Sequence, residues 1–294
     1  MSFAFKTKNH VLRQVRSIAA EQVEKAIAAT AEPPQDFDAT VHQLRRRCKK
    51  LRGTLCMVEP HFKSFADENA AVRDAANWLG GVRDARVMVE TLDALVADKS
   101  GHAAAVQAIA ARQLLVARVD QLTQDSDQAT TLKQFASMFS EIASRVERWE
   151  FTGRGFEVIG DGLEQTFRQF CKRAAQAEKL ETAEALHEWR KQAKYHGHHV
   201  SLLSETAPDL LQPRGKLVDR LGDELGDHHN LAVLQETLEQ SGLDDIEAIF
   251  VAITAKQHEL AQSAFVLGRQ LAAEKPAALQ QRFAGYWHLL PEGN

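Results

Sequence analysis

Apolar residues recur at spacings of three and four along almost the whole chain, in segments of about 20–30 residues, which is the signature of amphipathic helices. The segments are punctuated at Pro33-Pro34, Pro60, Ser100-Gly101, the glycine-rich stretch from Gly153 to Gly162, Pro208, Pro213, Gly242 and Pro276. No stretch alternates apolar and polar residues as a half-buried strand would. The apolar run from Ile246 to Ile253 is bounded by helix formers and reads as a buried helix turn. The pattern predicts an all-α chain of about ten helices with its midpoint break at 151–162.

The two sides of that break echo each other. Val41-His42-Gln43-Leu44-Arg45-Arg46 matches Leu186-His187-Glu188-Trp189-Arg190-Lys191 at an offset of 145, and Lys49 then falls on Lys194 and Lys50 on Tyr195. Leu79-Gly80 matches Leu225-Gly226 at an offset of 146, followed by Glu90-Thr91-Leu92 on Glu236-Thr237-Leu238. Two blocks that agree to within one residue indicate an internal duplication. A unit of roughly 140 residues is too long for a solenoid repeat and suits a small helical bundle. The expected architecture is a first repeat over 1–150 and a second over 151–294, related by a pseudo-two-fold axis.

The first matched helix carries an apolar stripe of Leu44, Cys48, Leu51 and Leu55, which points to a core. His42, Arg45, Lys49 and Arg52 form another line at spacings of three, four and three, flanked by Arg46 and Lys50, and no acidic residue falls between His42 and Arg52. At 1.5 Å per residue this basic ridge is roughly 15 Å long. Like charges at such spacings repel by a few tenths of a kcal/mol per pair, a penalty that a purely structural helix avoids by mixing signs. The second helix repeats the arrangement, with Leu186, Trp189, Ala193 and Val200 as the apolar stripe and His187, Arg190, Lys191, Lys194 and Tyr195 on the other face. A single charge run is usually a solvated face; its recurrence at matched positions argues for an anion site. Arg83 and His229, in the Leu-Gly blocks, are further candidates, with Asp84 placed to orient a neighbouring cation. The competing reading of those blocks is close helix packing at the glycines, with polar residues satisfying one another.

Composition narrows the ligand. The chain has 36 basic and 40 acidic residues, net −4, whereas a protein that coats nucleic acid in bulk is strongly basic. Rows of Arg and Lys match multivalent phosphate. Single-stranded nucleic acid would also require aromatic stacking platforms, and the basic faces offer only Tyr195. A linear phosphate polymer needs none. Apolar residues make up 44% of the chain, enough for a sizeable core, yet no run reaches the roughly 20 residues of a membrane span. The first sixteen residues lack the apolar segment of a secretory signal, and the three cysteines at irregular spacing fit a reducing compartment. A cytoplasmic protein is expected, without a cofactor. His196, His198, His199, His228 and His229 form no HExxH-like pair, so no metal site is expected. No nucleophile or carboxylate cluster accompanies the basic helices, which favours binding without catalysis.

These residues resemble the CHAD domain, the conserved histidine α-helical domain. The resemblance is carried by the two His-x-x-Arg-Arg/Lys-x-x-Lys helices, the Leu-Gly-x-x-Arg-Asp block and the segment from Gly155-Phe156-Glu157 to Gly162-Leu163-Glu164-Gln165-Thr166-Phe167-Arg168. It implies two four-helix bundles with pseudo-two-fold symmetry, inorganic polyphosphate as ligand along a basic surface or pore, and association with polyphosphate granules. The family's basic positions map onto His42, Arg45, Arg46, Lys49 and Lys50, and onto His187, Arg190, Lys191, Lys194 and Tyr195. Arg168 and Lys172 resemble further basic positions, as do Arg13 and Arg16. The second repeat has His229-Asn230 where the first has Arg83-Asp84. The β-rich CYTH-type domain that often precedes a CHAD domain has no counterpart here, so a stand-alone binder is expected. Its alternatives are an enzyme acting on polyphosphate or nucleotides and a helical scaffold for an acidic protein partner. Histidines close to their titration point should strengthen binding mildly as pH falls toward 6.

Overall fold

The computed structural model describes residues 3–31, 36–97 and 101–293, with the side chains of 101–103 left out. Among them, the pairing of Phe62 with Phe151 is an isolated β-bridge, and no strand is formed. The chain is all-α. Eleven helices follow one another: α1 (Val11–Ala28), α2 (Phe37–Val58), α3 (Phe65–Trp78), α4 (Val82–Ala97), α5 (Gly101–Asp125), α6 (Gln128–Val146), α7 (Glu157–Leu180), α8 (Ala183–Leu202), α9 (Pro208–Glu239), α10 (Glu247–Ala272) and α11 (Pro276–Trp287). No helix among the described residues is long and apolar enough to cross a membrane. The expected break at Pro33-Pro34 lies outside the described residues.

Local chemistry sets the helix ends. The Asp36 carboxylate accepts the Ala39 N–H at 3.1 Å to start α2, and the Thr182 hydroxyl oxygen accepts the Ala185 N–H at 3.3 Å to start α8. Pro208 and Pro276 occupy the first turns of α9 and α11, where the missing N–H has no intrahelical partner to lose. Gly242, at φ 71°, makes the turn between α9 and α10.

Two expected breaks are instead helix interior. Pro213 sits in the second turn of α9 without ending it; Pro213 and Asp209 are both exposed, so the carbonyl that loses its donor is on the solvent side. Gly160 and Gly162 lie within α7, and only the part of that glycine-rich stretch before Glu157 is connection. Gly162 is there for packing: a Cβ at this position would lie 2.0 Å from the Met57 carbonyl oxygen, so α7 presses directly on the backbone of α2.

The apolar stripes converge on two clusters. The larger takes Val41, Leu44, Cys48, Leu51 and Leu55 of α2, Leu186 and Trp189 of α8, and Phe135, Phe139, Phe167, Phe170, Phe283 and Trp287 from other helices. The smaller gathers Met88, Leu92 and Leu95 of α4, Leu115 of α5, Leu231, Leu234 and Leu238 of α9, and Ile249 and Ile253 of α10. Both draw on residues from either side of position 150. The 32-residue α9, about 48 Å long, contributes its first half to one cluster and its second half to the other. Cys48 and Trp189 are fully buried, as their apolar stripes require.

Gly162→Ala should cost about 3 kcal/mol of stability through the forced separation of α7 from α2. Gly285→Ala, where an added Cβ meets nothing within 4 Å, should be neutral or stabilising by about 0.5–1 kcal/mol. Urea unfolding of both variants checks the difference, and equal losses would show that the close approach at Gly162 is not a constraint.

Candidate anion-binding groove

The groove begins where α2 meets α8. Gly53 permits the contact, since a Cβ there would lie 2.6 Å from His198 Cβ, and His199 Nε2 donates to the Gly53 carbonyl at 3.0 Å. One turn back along both helices, the Lys49 ammonium shares its surroundings with Arg190, Lys194 and Arg45. One residue before Gly53, the Arg52 guanidinium lies over the Tyr195 ring at 5.7 Å. The contacts advance in the same direction along both chains, so α2 and α8 run parallel here. Lys49 with Lys194, and Gly53 with His198, are positions matched at offset 145 in the sequence.

Crowding in the recess has an electrostatic consequence for Lys49. Lys49 is still open to solvent at its surface, yet it stands in a protein-walled recess. Lost hydration, then Arg190, Arg45 and Lys194, push its pKa down to about 8. Arg190 is half-buried, and its Nε is buried without a hydrogen-bond partner.

Helix α9 forms a second wall, antiparallel to α8. Lys194 lies across Gly222, with Cε and Nζ each 2.8 Å from where a Cβ would be, and it pairs with Asp223 at 3.0 Å. Arg190 lies against Gly226, and the rings of His187 and His229 sit 4.1 Å apart. On the other side, α4 supplies Asp84, which pairs with Arg45 at 3.2 Å. Arg83 of the same helix pairs with Glu90 at 3.0 Å and stands close enough to His42 to disfavour its charged form.

Other candidates point elsewhere. Lys50 caps the Phe3 ring at 4.7 Å and shares its surroundings with Arg46, Arg47 and the α1 residues Lys25 and Glu21. Arg46 is exposed between that cluster and His42. Arg52 donates to Asn69 of α3 at 2.9 Å. Tyr195 is half-buried and hydrogen-bonded to Cys56; burial pushes its pKa up to about 12. Lys191 is exposed and pairs with Glu188 at 2.5 Å. Arg168 and Lys172 are exposed on α7, Arg168 ion-paired with Glu164. Arg16 donates to the Trp149 carbonyl, at 2.6 Å from Nη2, and so serves the core rim.

Two features of the groove go beyond the sequence reading. The groove is not free of negative charge: Asp84, Asp223 and Asp227 stand among its cations, and Asp219 continues the α9 row at four-residue spacing. Burial and mutual repulsion raise the pKa values of Asp219 and Asp227. The reason is electrostatic, because converging cations need resident counter-charges, and α9 provides them from outside the two basic helices. Nor do the groove histidines keep their ordinary pKa values. Burial first, then neighbouring Arg and Lys, lowers His42 and His187, and burial followed by His187 and Arg190 lowers His229 to about 4. His198 is lowered to about 3. In the free protein His198 and His229 are neutral hydrogen-bonding rings at pH 7. The acidic row Asp219, Asp223, Asp227 was there to be found as an i, i+4, i+8 pattern once 208–239 is taken as one helix.

The Cys48 and Cys56 thiols are buried and pushed up to about 12, so neither is a thiolate at neutral pH. The arrangement is therefore a cationic trench with exchangeable carboxylate partners.

Comparison with known proteins bears on this geometry. PptA from Streptomyces chartreusis has a similar fold, with a TM-score of 0.63 at 14% identity, covering 90% of this chain and all of that one. The CHAD domain from the plant Ricinus communis is also similar, with a TM-score of 0.52 at 18% identity, covering all of this chain and 97% of that one. Comparison with curated proteins gives no match. The CHAD domain family matches residues 17–239, a span that contains α2, α4, α8 and α9 and every cation and carboxylate of the groove. The chain belongs to the CHAD domain family.

Proposed function

We propose that the trench between α2 and α8 binds inorganic polyphosphate along its length, without catalysis, in a cytoplasmic protein associated with polyphosphate granules. The observation that carries this reading is the convergence of Arg45, Lys49, Arg190 and Lys194, whose repulsion adds to lost hydration in lowering the Lys49 pKa to about 8. A site that destabilises its own ammonium group recovers that penalty when a polyanion arrives. Arg190 Nε is a buried donor awaiting an acceptor, and each charge-assisted contact contributes roughly 1.5–3 kcal/mol before screening. Asp84 and Asp223 are 61% and 74% exposed, so both can swing to water as phosphates replace them. The half-buried Tyr195, already stacked on Arg52, leaves no platform for bases, which favours a phosphate polymer over RNA or DNA. The facing of offset-145 positions across the trench supports a two-fold relation between 1–150 and 151–294, with each half supplying one wall.

Calorimetric titration with long-chain polyphosphate should show at least about 100-fold weaker binding for the triple change Lys49→Ala, Arg190→Ala, Lys194→Ala. Arg168→Ala with Lys172→Ala should change it less than about 5-fold, because those side chains lie on α7. Undiminished affinity in the triple variant would refute the site. Salt dependence should be steep, and each cation removed from the trench should reduce the slope of log K against log salt by about 0.7–0.9.

The pH dependence follows from Lys49. Polyphosphate binds the charged form, whose pKa is about 8 in the free protein. Raising the pH through 8 therefore makes binding pay for protonation, and affinity should fall between pH 7 and 9.5. Lys49→Arg, charged throughout that range, should flatten this limb. A wild-type profile already flat from pH 7 to 9.5 would show that Lys49 does not contact the ligand.

A further inference from the structure

Away from the trench, three potential metal ligands meet where the end of α2 approaches the start of α7. His61 closes the short 3-10 turn that follows α2, and Glu157 and Asp161 share one face of the first turns of α7. One ligand atom from each lies within 4.8 Å of the other two. His61 Nε2 is 2.9 Å from Asp161 Oδ2, and the imidazole is only 13% exposed.

Thr152 lies on the far side of the ring. The Thr152 hydroxyl oxygen is 3.2 Å from His61 Nδ1 and 3.4 Å from the His61 carbonyl oxygen, while the Thr152 N–H donates to that same carbonyl at 2.9 Å. The Thr152 oxygen can accept from Nδ1–H, the tautomer in which Nε2 presents its lone pair toward Asp161 for a metal ion; in the other tautomer Nε2–H donates to Asp161 directly. The exposed Glu157 brings a second carboxylate to the same point. Gln280 Nε2 donates to the other Asp161 oxygen at 3.3 Å and orients the carboxylate, as outer partners of metal ligands do. Gly153, at φ 80°, closes the recess, since a Cβ there would lie 3.0 Å from His61 Nδ1 and 3.4 Å from Glu157 Oε2.

We propose that His61, Glu157 and Asp161 bind one divalent transition metal ion of the zinc class, with water completing the coordination. One imidazole nitrogen and two carboxylate oxygens are a borderline donor set, suited to Zn²⁺ over Ca²⁺ or Mg²⁺. The positive end of α7 opposes the ion, which places the affinity in the micromolar range. The role is a clip: it ties the end of α2 to the connection at 151–153 and to the start of α7, joining the two halves of the chain beside the Phe62–Phe151 bridge.

Titration of the metal-free full chain with zinc chloride, in the absence of polyphosphate, tests the site independently of the trench. The expected result is one equivalent bound with micromolar Kd and a rise in melting temperature. His61→Ala, and separately Glu157→Gln with Asp161→Asn, should weaken that binding at least 20-fold. His187→Ala with His229→Ala should leave it unchanged. The carboxamide variant is close to isosteric, so circular dichroism can confirm its fold if His61→Ala unfolds. No zinc uptake by the wild type would mean that His61 simply donates Nε2–H to Asp161. Uptake unaffected by either variant would place the ion on other histidines. Either result overturns the proposal.

Discussion

The structure turns on the close approach of α2 to α8 at Gly53. With no side chain there, His198 can settle on the α2 backbone and His199 can donate to the Gly53 carbonyl. The same contact forces Arg45, Lys49, Arg190 and Lys194 into one neighbourhood. Packing and electrostatics are opposed at this point: the apolar stripes of both helices gain burial in the larger core, while their polar faces lose hydration and repel. The fold tolerates the conflict because the core beneath is extensive and each ridge borrows carboxylates from a neighbouring helix.

Those borrowed carboxylates give the trench its character. Asp84 comes from α4 and Asp223 and Asp227 from α9, so the counter-ions belong to walls that carry no basic ridge of their own. Asp84 and Asp223 are largely exposed to solvent. The buried Glu68, held bidentately by Arg145 at 2.6 and 3.0 Å, shows the contrasting case, where a carboxylate 4% exposed is structural and has no freedom to leave.

Much of this was legible in the sequence because a helix maps spacing onto direction. The stripes that contain Cys48 and Trp189 had to be core, and the line Arg45, Lys49 had to share a face with its counterpart if the two helices met. Other features depend on partners that spacing within one helix does not reveal. Lys50 follows Lys49 by one residue, about 100° around the helix, and so turns to Phe3 and the α1 side. Gly162 signals a break in isolation but marks contact with Met57 once α2 is present. Pro213 misleads for the opposite reason: its surroundings are solvent, so water can satisfy the carbonyl that loses its donor and the helix continues. The acidic row of α9 falls within the segment between Pro213 and Gly242, and its meaning depends on the basic helices it faces.

Lys194 lies flat across Gly222, its methylene stem bedded on the α9 backbone with Nζ beside Asp223. A free lysine samples many rotamers, and restraining it on association costs about 0.5–1.5 kcal/mol. Here the glycine trough has already straightened the side chain during folding, so the immobilisation is charged to the protein and not to the encounter with an anion. A bulkier residue at 222 would lift the stem off its bed and return that disorder to the binding step, even with every cation still in place.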